Sequence, residues 1–107
     1  MAVPGYEKFM LPMMEIVSDQ REHAVSEVRD KLAEYFQLAE EDLRELLPSG
    51  KQTVFYNRVG WAKTYLQKAK LLESLRRGYF QITKRGLEVL KEKPQEIDRK
   101  YLEQFDE

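Results

Sequence analysis

This 107-residue sequence predicts a mainly α-helical fold with one small β-hairpin, laid out as a winged helix-turn-helix. Three observations carry that reading. In residues 53–72 the apolar side chains Phe55, Val59, Ala62, Leu66 and Ala69 are spaced 4, 3, 4 and 3 apart, the single stripe of a helix. Shorter amphipathic helices precede that segment, and a hairpin turning at Arg77-Gly78 follows it. Positive charge gathers on the same stretch. Residues 51–86 hold 9 Lys+Arg and one acid, Glu73, while residues 1–50 hold 5 Lys+Arg against 11 Asp+Glu and residues 87–107 hold 4 against 7.

The totals bound the class. A hydrophobic content of 42% with 35% charged residues is that of one small globular domain rather than a disordered chain. With no cysteine there is no disulfide framework and no thiolate metal site. The start, Met-Ala-Val-Pro-Gly, lacks the basic-then-apolar order of a signal peptide. No apolar run approaches the roughly 20 residues that span a bilayer. The expectation is a cytoplasmic protein with no membrane partner and no cofactor in this chain.

Taken in order, residues 6–17 read as a first helix with Phe9, Met13 and Ile16 on one face, Met10 and Val17 nearby, and Pro12 placed to kink or divide it. Residues 19–23 read as a polar turn, with His23, the only histidine, as a loop residue. Ala24-Val25 suits a very short strand. Ser26 then suits an N-cap, and Val28, Leu32, Tyr35 and Phe36 form the inner face of a second helix ending near Gln37. Residues 38–47 predict a short acidic helix with Leu43, Leu46 and Leu47 inward and Glu40, Glu41 and Asp42 solvated. Pro48-Ser49-Gly50 ends it.

The central helix follows. It has no glycine after Ala69, so Lys70 must close it in a conformation that glycine usually takes. Leu71 to Ile82 reads as the hairpin, with Phe80 and Ile82 on its apolar face, Arg76 and Arg77 at its tip and Gly78 supplying a positive φ. Thr83 caps a helix over 84–93, in which Gly86 implies a close backbone crossing. Pro94 stops that helix. Ile97, Tyr101, Leu102 and Phe105 make one more amphipathic turn or two. Residues 1–94 are therefore expected to form the domain, and residues 95–107 a helical tail or linker.

At about 100° per residue, the arc of the central helix opposite its stripe carries Tyr56, Asn57, Gly60, Lys63, Thr64, Gln67 and Lys68, with no carboxylate. A solvated face normally mixes both signs, so this arc points to an anionic partner. In a winged helix the third major helix enters the major groove of double-stranded DNA and the hairpin reaches an adjacent backbone or groove. Asn57, Thr64 and Gln67 are the candidates for base edges, since amides pair bidentately with adenine, and Lys63 and Lys68 serve bases or phosphates. Lys51 and Gln52, just before the helix start, position it on the backbone. Arg76 and Arg77 are expected on phosphates, and Tyr56, Lys84 and Arg85 complete the candidate DNA-binding set.

The stretches Val3-Pro4-Gly5-Tyr6 with Leu11-Pro12, Leu47-Pro48-Ser49-Gly50-Lys51-Gln52, Asn57-Arg58-Val59-Gly60-Trp61-Ala62, Arg77-Gly78 and Ile82-Thr83-Lys84-Arg85-Gly86 run over most of the chain. On them the sequence resembles the N-terminal domain of Mrr-type restriction endonucleases. The Pro-Ser-Gly and Arg-x-x-Trp-Ala stretches are the more specific, and Lys70 departs from the small residue expected there. The resemblance implies a winged-helix module that binds DNA ahead of a separate PD-(D/E)xK nuclease domain, in systems that cut modified, often methylated, foreign DNA. It implies no catalytic residue here. A magnesium nuclease needs acids and a lysine converging from a strand region, whereas Glu92-Lys93 lies on a helix surface. The catalytic domain would lie beyond Glu107.

Two readings stay open at this point: a duplex-DNA-binding module, and a protein-interaction or dimerisation winged helix in which the acidic half of one copy meets the basic half of another. Trp61, at the edge of the stripe, is expected in the core rather than stacked on a base. Arg58, at the other edge, is expected to reach an acid of the first two helices or a phosphate.

Overall fold

The first helical run is divided near Pro12, ahead of the proline itself. In the computed structural model, which describes residues 3–105, a 3-10 turn over Tyr6–Phe9 leads into α1, Met10–Ile16. Pro12 thus occupies the first turn of α1, where its missing N–H loses no intrahelical bond. Phe9, Met10, Met13, Met14 and Val17 are fully buried and form one wall of the core.

Strand β1 is His23–Ala24 and α2 is Val25–Tyr35. Ala24, not Ser26, stands at the N-cap of α2, and Ser26 is exposed in the first turn. The reason lies in the hairpin: the Val25 N–H donates to the Gly78 carbonyl at 2.9 Å, which satisfies an orphan donor from outside and starts the helix earlier. Tyr35 is exposed, against the expectation that it faces inward. Val28, Leu32 and Phe36 already fill that face, Phe36 meeting Phe9 edge-on with ring centroids 5.2 Å apart. Helix α3 is short, Glu40–Arg44, and the Asp42 carboxylate accepts from the Ala39 N–H at 3.0 Å. Asp42 is therefore a buried capping group rather than solvated surface, while Glu40 and Glu41 are exposed. Leu46 lies past the end of α3, bridges to Thr53 and points outward, unlike Leu43 and Leu47.

Helix α4, Val54–Lys68, is capped by the Thr53 hydroxyl, which accepts from the Tyr56 N–H at 3.1 Å. Phe55, Val59, Ala62, Leu66 and the following Ala69 are all buried, as their spacing predicts. Its far end closes through two bonds, Leu71 N–H to Leu66 carbonyl at 3.0 Å and Lys70 N–H to Gln67 carbonyl at 2.9 Å. This is a Schellman closure with Lys70 in the left-handed position at φ 64.

Strands β2, Leu72–Glu73, and β3, Tyr79–Ile82, pair antiparallel with Leu72 opposite Ile82. β1 joins on the other edge of β3, with His23 opposite Phe80, giving a three-stranded sheet in the order β1-β3-β2. Thr83 caps α5, Lys84–Lys91, by accepting from the Gly86 N–H at 3.0 Å. Gly86 is buried where a Cβ would collide with the Leu71 carbonyl oxygen and lie 2.6 Å from Ile82 Cγ1, so the close crossing is real. Helix α6, Arg99–Leu102, and a 3-10 turn, Glu103–Phe105, finish the described chain, with Ile97 and Leu102 in the core. The order α1-β1-α2-α3-α4-β2-β3 is that of a winged helix with α3 set between its second and third main helices. No described helix is long and apolar enough to cross a membrane.

Candidate nucleic-acid interface

With its stripe packed inward, α4 turns Tyr56, Gly60, Trp61 and Lys68 to solvent, and leaves Asn57, Lys63, Thr64 and Gln67 half-buried along the same outer side. The outer side carries no carboxylate. Gly60 leaves open space in its middle, since nothing lies within 4 Å of where a Cβ would stand. The structure therefore brings Asn57, Thr64, Gln67 and Lys68 onto one accessible side. Lys63 leans towards the hairpin: its ammonium is 5.9 Å from the Phe80 ring centroid and 3.5 Å from Gln67 Oε1, and burial pushes its pKa down.

The approach to α4 is ordered by its own side chains. Asn57 Nδ2 donates to Gln52 Oε1 at 3.3 Å, which folds Gln52 back on the first turn, and Lys51 stands exposed beside it. Two N–H groups of that turn are already used, Val54 by the Glu45 carbonyl at 2.8 Å and Tyr56 by the Thr53 hydroxyl. Attraction for a phosphate at this end thus falls mainly to the Lys51 and Gln52 side chains. Tyr56 carries the Arg29 guanidinium of α2 at 4.0 Å from its ring centroid. Arg29 lies outside the basic block in sequence, which is why charge counting does not find it.

The remaining cations divide. Arg77 is exposed at the hairpin tip. Arg76, its neighbour, is also exposed, at 61%, but is engaged on the surface: Nε donates to Glu22 at 3.0 Å and the guanidinium lies 3.7 Å over the Tyr79 ring. Arg85 donates to the Ala69 carbonyl at 3.0 Å and sits 5.2 Å over the Phe105 ring, serving the end of α4. Lys84 is exposed and borders a cleft with Ser18 and Gln20. Arg58 is half-buried and, among the described residues, reaches backbone carbonyls rather than an acid. It donates to the carbonyls of Val3 and Pro4, the latter at 3.2 Å, and so ties the N-terminal segment to α4.

Trp61 is 48% exposed, which overturns the core expectation. The stripe is already complete without it, and the indole lies beside Tyr65, centroids 6.0 Å apart. Tyr65 in turn stacks on Tyr6 at 5.4 Å.

His23 is buried and is not a loop residue. Its Nε2 meets Asp19 Oδ1 and its Nδ1 meets Glu27 Oε2, both at 2.8 Å. Burial alone would lower its pKa, but the two carboxylate bonds outweigh it and the pKa is raised; Asp19 and Glu27 are lowered in return, first by their bonds to His23. The ring, held between the two carboxylates, braces β1, the strand that flanks the wing strand β3. The signal that could have found it is the spacing of Asp19, His23 and Glu27, two i,i+4 pairs.

The family model for the Mrr N-terminal domain matches residues 6–92, from the first 3-10 turn through α5. The chain belongs to the Mrr N-terminal domain family. It is also 33% identical over 96 residues to the type IV methyl-directed restriction enzyme EcoKMrr of Escherichia coli (strain K12), covering 89% of this chain and 31% of that protein. The chain thus spans under a third of that relative's length, and the Mrr resemblance read from Pro-Ser-Gly and Arg-x-x-Trp-Ala is confirmed at the level of this domain. No solved structure matches it.

Proposed function

We propose that this chain is the duplex-DNA-binding module of an Mrr-like restriction enzyme, with the outer side of α4 in the major groove and the hairpin against the flanking duplex. The observation that supports it best is the acid-free, accessible side of α4, with the exposed cations Lys51 and Lys68 at its two ends and Arg77 exposed at the hairpin tip. Asn57, Thr64 and Gln67 are the side chains for base edges, and Gly60 allows close approach. Arg29, stacked on Tyr56, joins the phosphate contacts. Cleavage belongs to a further nuclease domain of the whole protein, and the relative's description as methyl-directed brings in methylated duplex DNA as its substrate. The rival reading is a dimerisation module. Titrating salt against binding to a short duplex separates the two: phosphate contacts give a log–log slope of about −0.9 for each one neutralised. A flat slope, with self-association instead, favours the rival.

A further inference from the structure

Leu75 is the most exposed large apolar residue of the fold at 70%, and it stands at the tip of the hairpin between Ser74 and Arg76-Arg77. A single exposed leucine is ordinary on a protein surface. Its setting is not. The tip is held rigid from within: the Ser74 hydroxyl lies 2.8 Å from the Arg76 carbonyl oxygen and 2.6 Å from that of Tyr79, donating to either. Tyr79 N–H closes the turn on the Arg76 carbonyl at 3.3 Å, with Gly78 at φ 83. The Gly78 carbonyl is tied to α2 through Val25.

Of the two acids near the tip, one is paired with a cation and the other is held by a neutral amide. Glu22 is paired with Arg76, and Glu73 at the root accepts from Gln81 Nε2 at 3.0 Å. Leu75 belongs to no part of the core cluster. A tip closed by its own hydrogen bonds, offering one apolar side chain beside the exposed Arg77 and the exposed but Glu22-paired Arg76, matches the narrow, electronegative minor groove, where proteins use apolar wedges flanked by cations.

We infer that Leu75 is an apolar probe that enters the minor groove beside the major-groove site of α4, while Arg77 holds the adjacent phosphates. This rests on the DNA-binding reading above and changes one part of it: the hairpin touches the groove floor rather than the backbone alone.

The test uses the intact chain with poly(dI-dC) and poly(dG-dC). These present the same major-groove atoms and differ by the guanine N2 amino group, which stands in the minor groove. The wild-type chain is expected to bind poly(dI-dC) more tightly. Leu75→Ser is expected to lose about tenfold on poly(dI-dC), as partial loss of a buried leucine implies, and to erase the preference. Its salt slope stays that of wild type, whereas Arg77→Ala flattens the slope by about 1. Urea midpoints equal to wild type confirm that neither variant acts through folding. Leu75→Ser binding both polymers as wild type does, or losing equally on both, overturns the groove assignment. Failure of the wild-type chain to bind either polymer overturns the DNA-binding reading itself.

Discussion

The outer side of α4 and the seams around α4 draw on the same basic stretch of sequence, yet they use it in opposite ways. Lys51 and Lys68 along α4 and Arg77 at the hairpin tip are exposed, and among the described residues their side chains make no hydrogen bond or ion pair. At the seams Arg58 closes on the Val3 and Pro4 carbonyls, Arg76 on Glu22 and Tyr79, and Arg85 on the Ala69 carbonyl and Phe105. Three of the four arginines of the block are thus structural. Arginine suits that work, because its planar fork satisfies several acceptors and its face stacks on rings. Net charge in a segment therefore overstates the charge available to a partner.

The comparison is broken most severely at the seam between α4 and α5. Gly86→Ala places a methyl group against the Leu71 carbonyl and Ile82. Overpacking of this kind costs about 1–3 kcal/mol, and the backbone partner leaves little room for relief. Urea denaturation should show a large drop in midpoint, while DNA affinity of the folded fraction stays near wild type. An unchanged midpoint would mean the seam is looser than its geometry implies.

A second seam, under the wing, is sensitive to pH. The His23 pKa is raised from about 6.5, so its contribution is complete below that value and fades as pH rises through the folded-state pKa. Asp19 and Glu27 are lowered, so their share is present above their ordinary values of 3.8 and 4.5 and fades in stronger acid. Stability from this cluster should peak between those limits. Thermal unfolding of His23→Gln against wild type at several pH values checks it: the gap should be widest in mildly acidic solution and shrink towards alkaline pH.

The smallest effect on folding belongs to the outer side. Trp61→Ala removes an indole that is half in solvent, so its midpoint should move by no more than about 1 kcal/mol, against the 3–5 kcal/mol of a buried aromatic. DNA affinity is the sharper readout under the proposed binding mode, since the indole stands exposed beside Gly60 on α4. A large stability loss would return Trp61 to the core.

Short-range chemistry in the sequence reaches much of this fold. The stripe from Phe55 to Ala69, the cap Thr83, the left-handed Gly78 and the tight crossing at Gly86 all follow from spacing and local chemistry, and all stand. The acid-free side of α4 is legible for the same reason, being the periodicity of a single helix. The features that sequence does not reveal depend on contacts between distant segments. Val25 takes its helix-starting partner from Gly78, so Ser26 has no capping role. Helical angle alone assigns Trp61 and Tyr35 inward, but other residues already fill those faces. The hydrogen-bond partners of Arg58 and Arg76 lie 54 or more residues away in sequence.

The central claim is that position, rather than total charge, decides which cations bind DNA. It is tested by two double variants that remove equal charge, Lys68→Ala with Arg77→Ala and Arg76→Ala with Arg85→Ala, each titrated with salt against one duplex. The outer pair should flatten the log–log slope by about 2, and the seam pair should leave the slope of its folded fraction at the wild-type value. Equal flattening by both pairs would contradict the division and return the interface to undifferentiated charge.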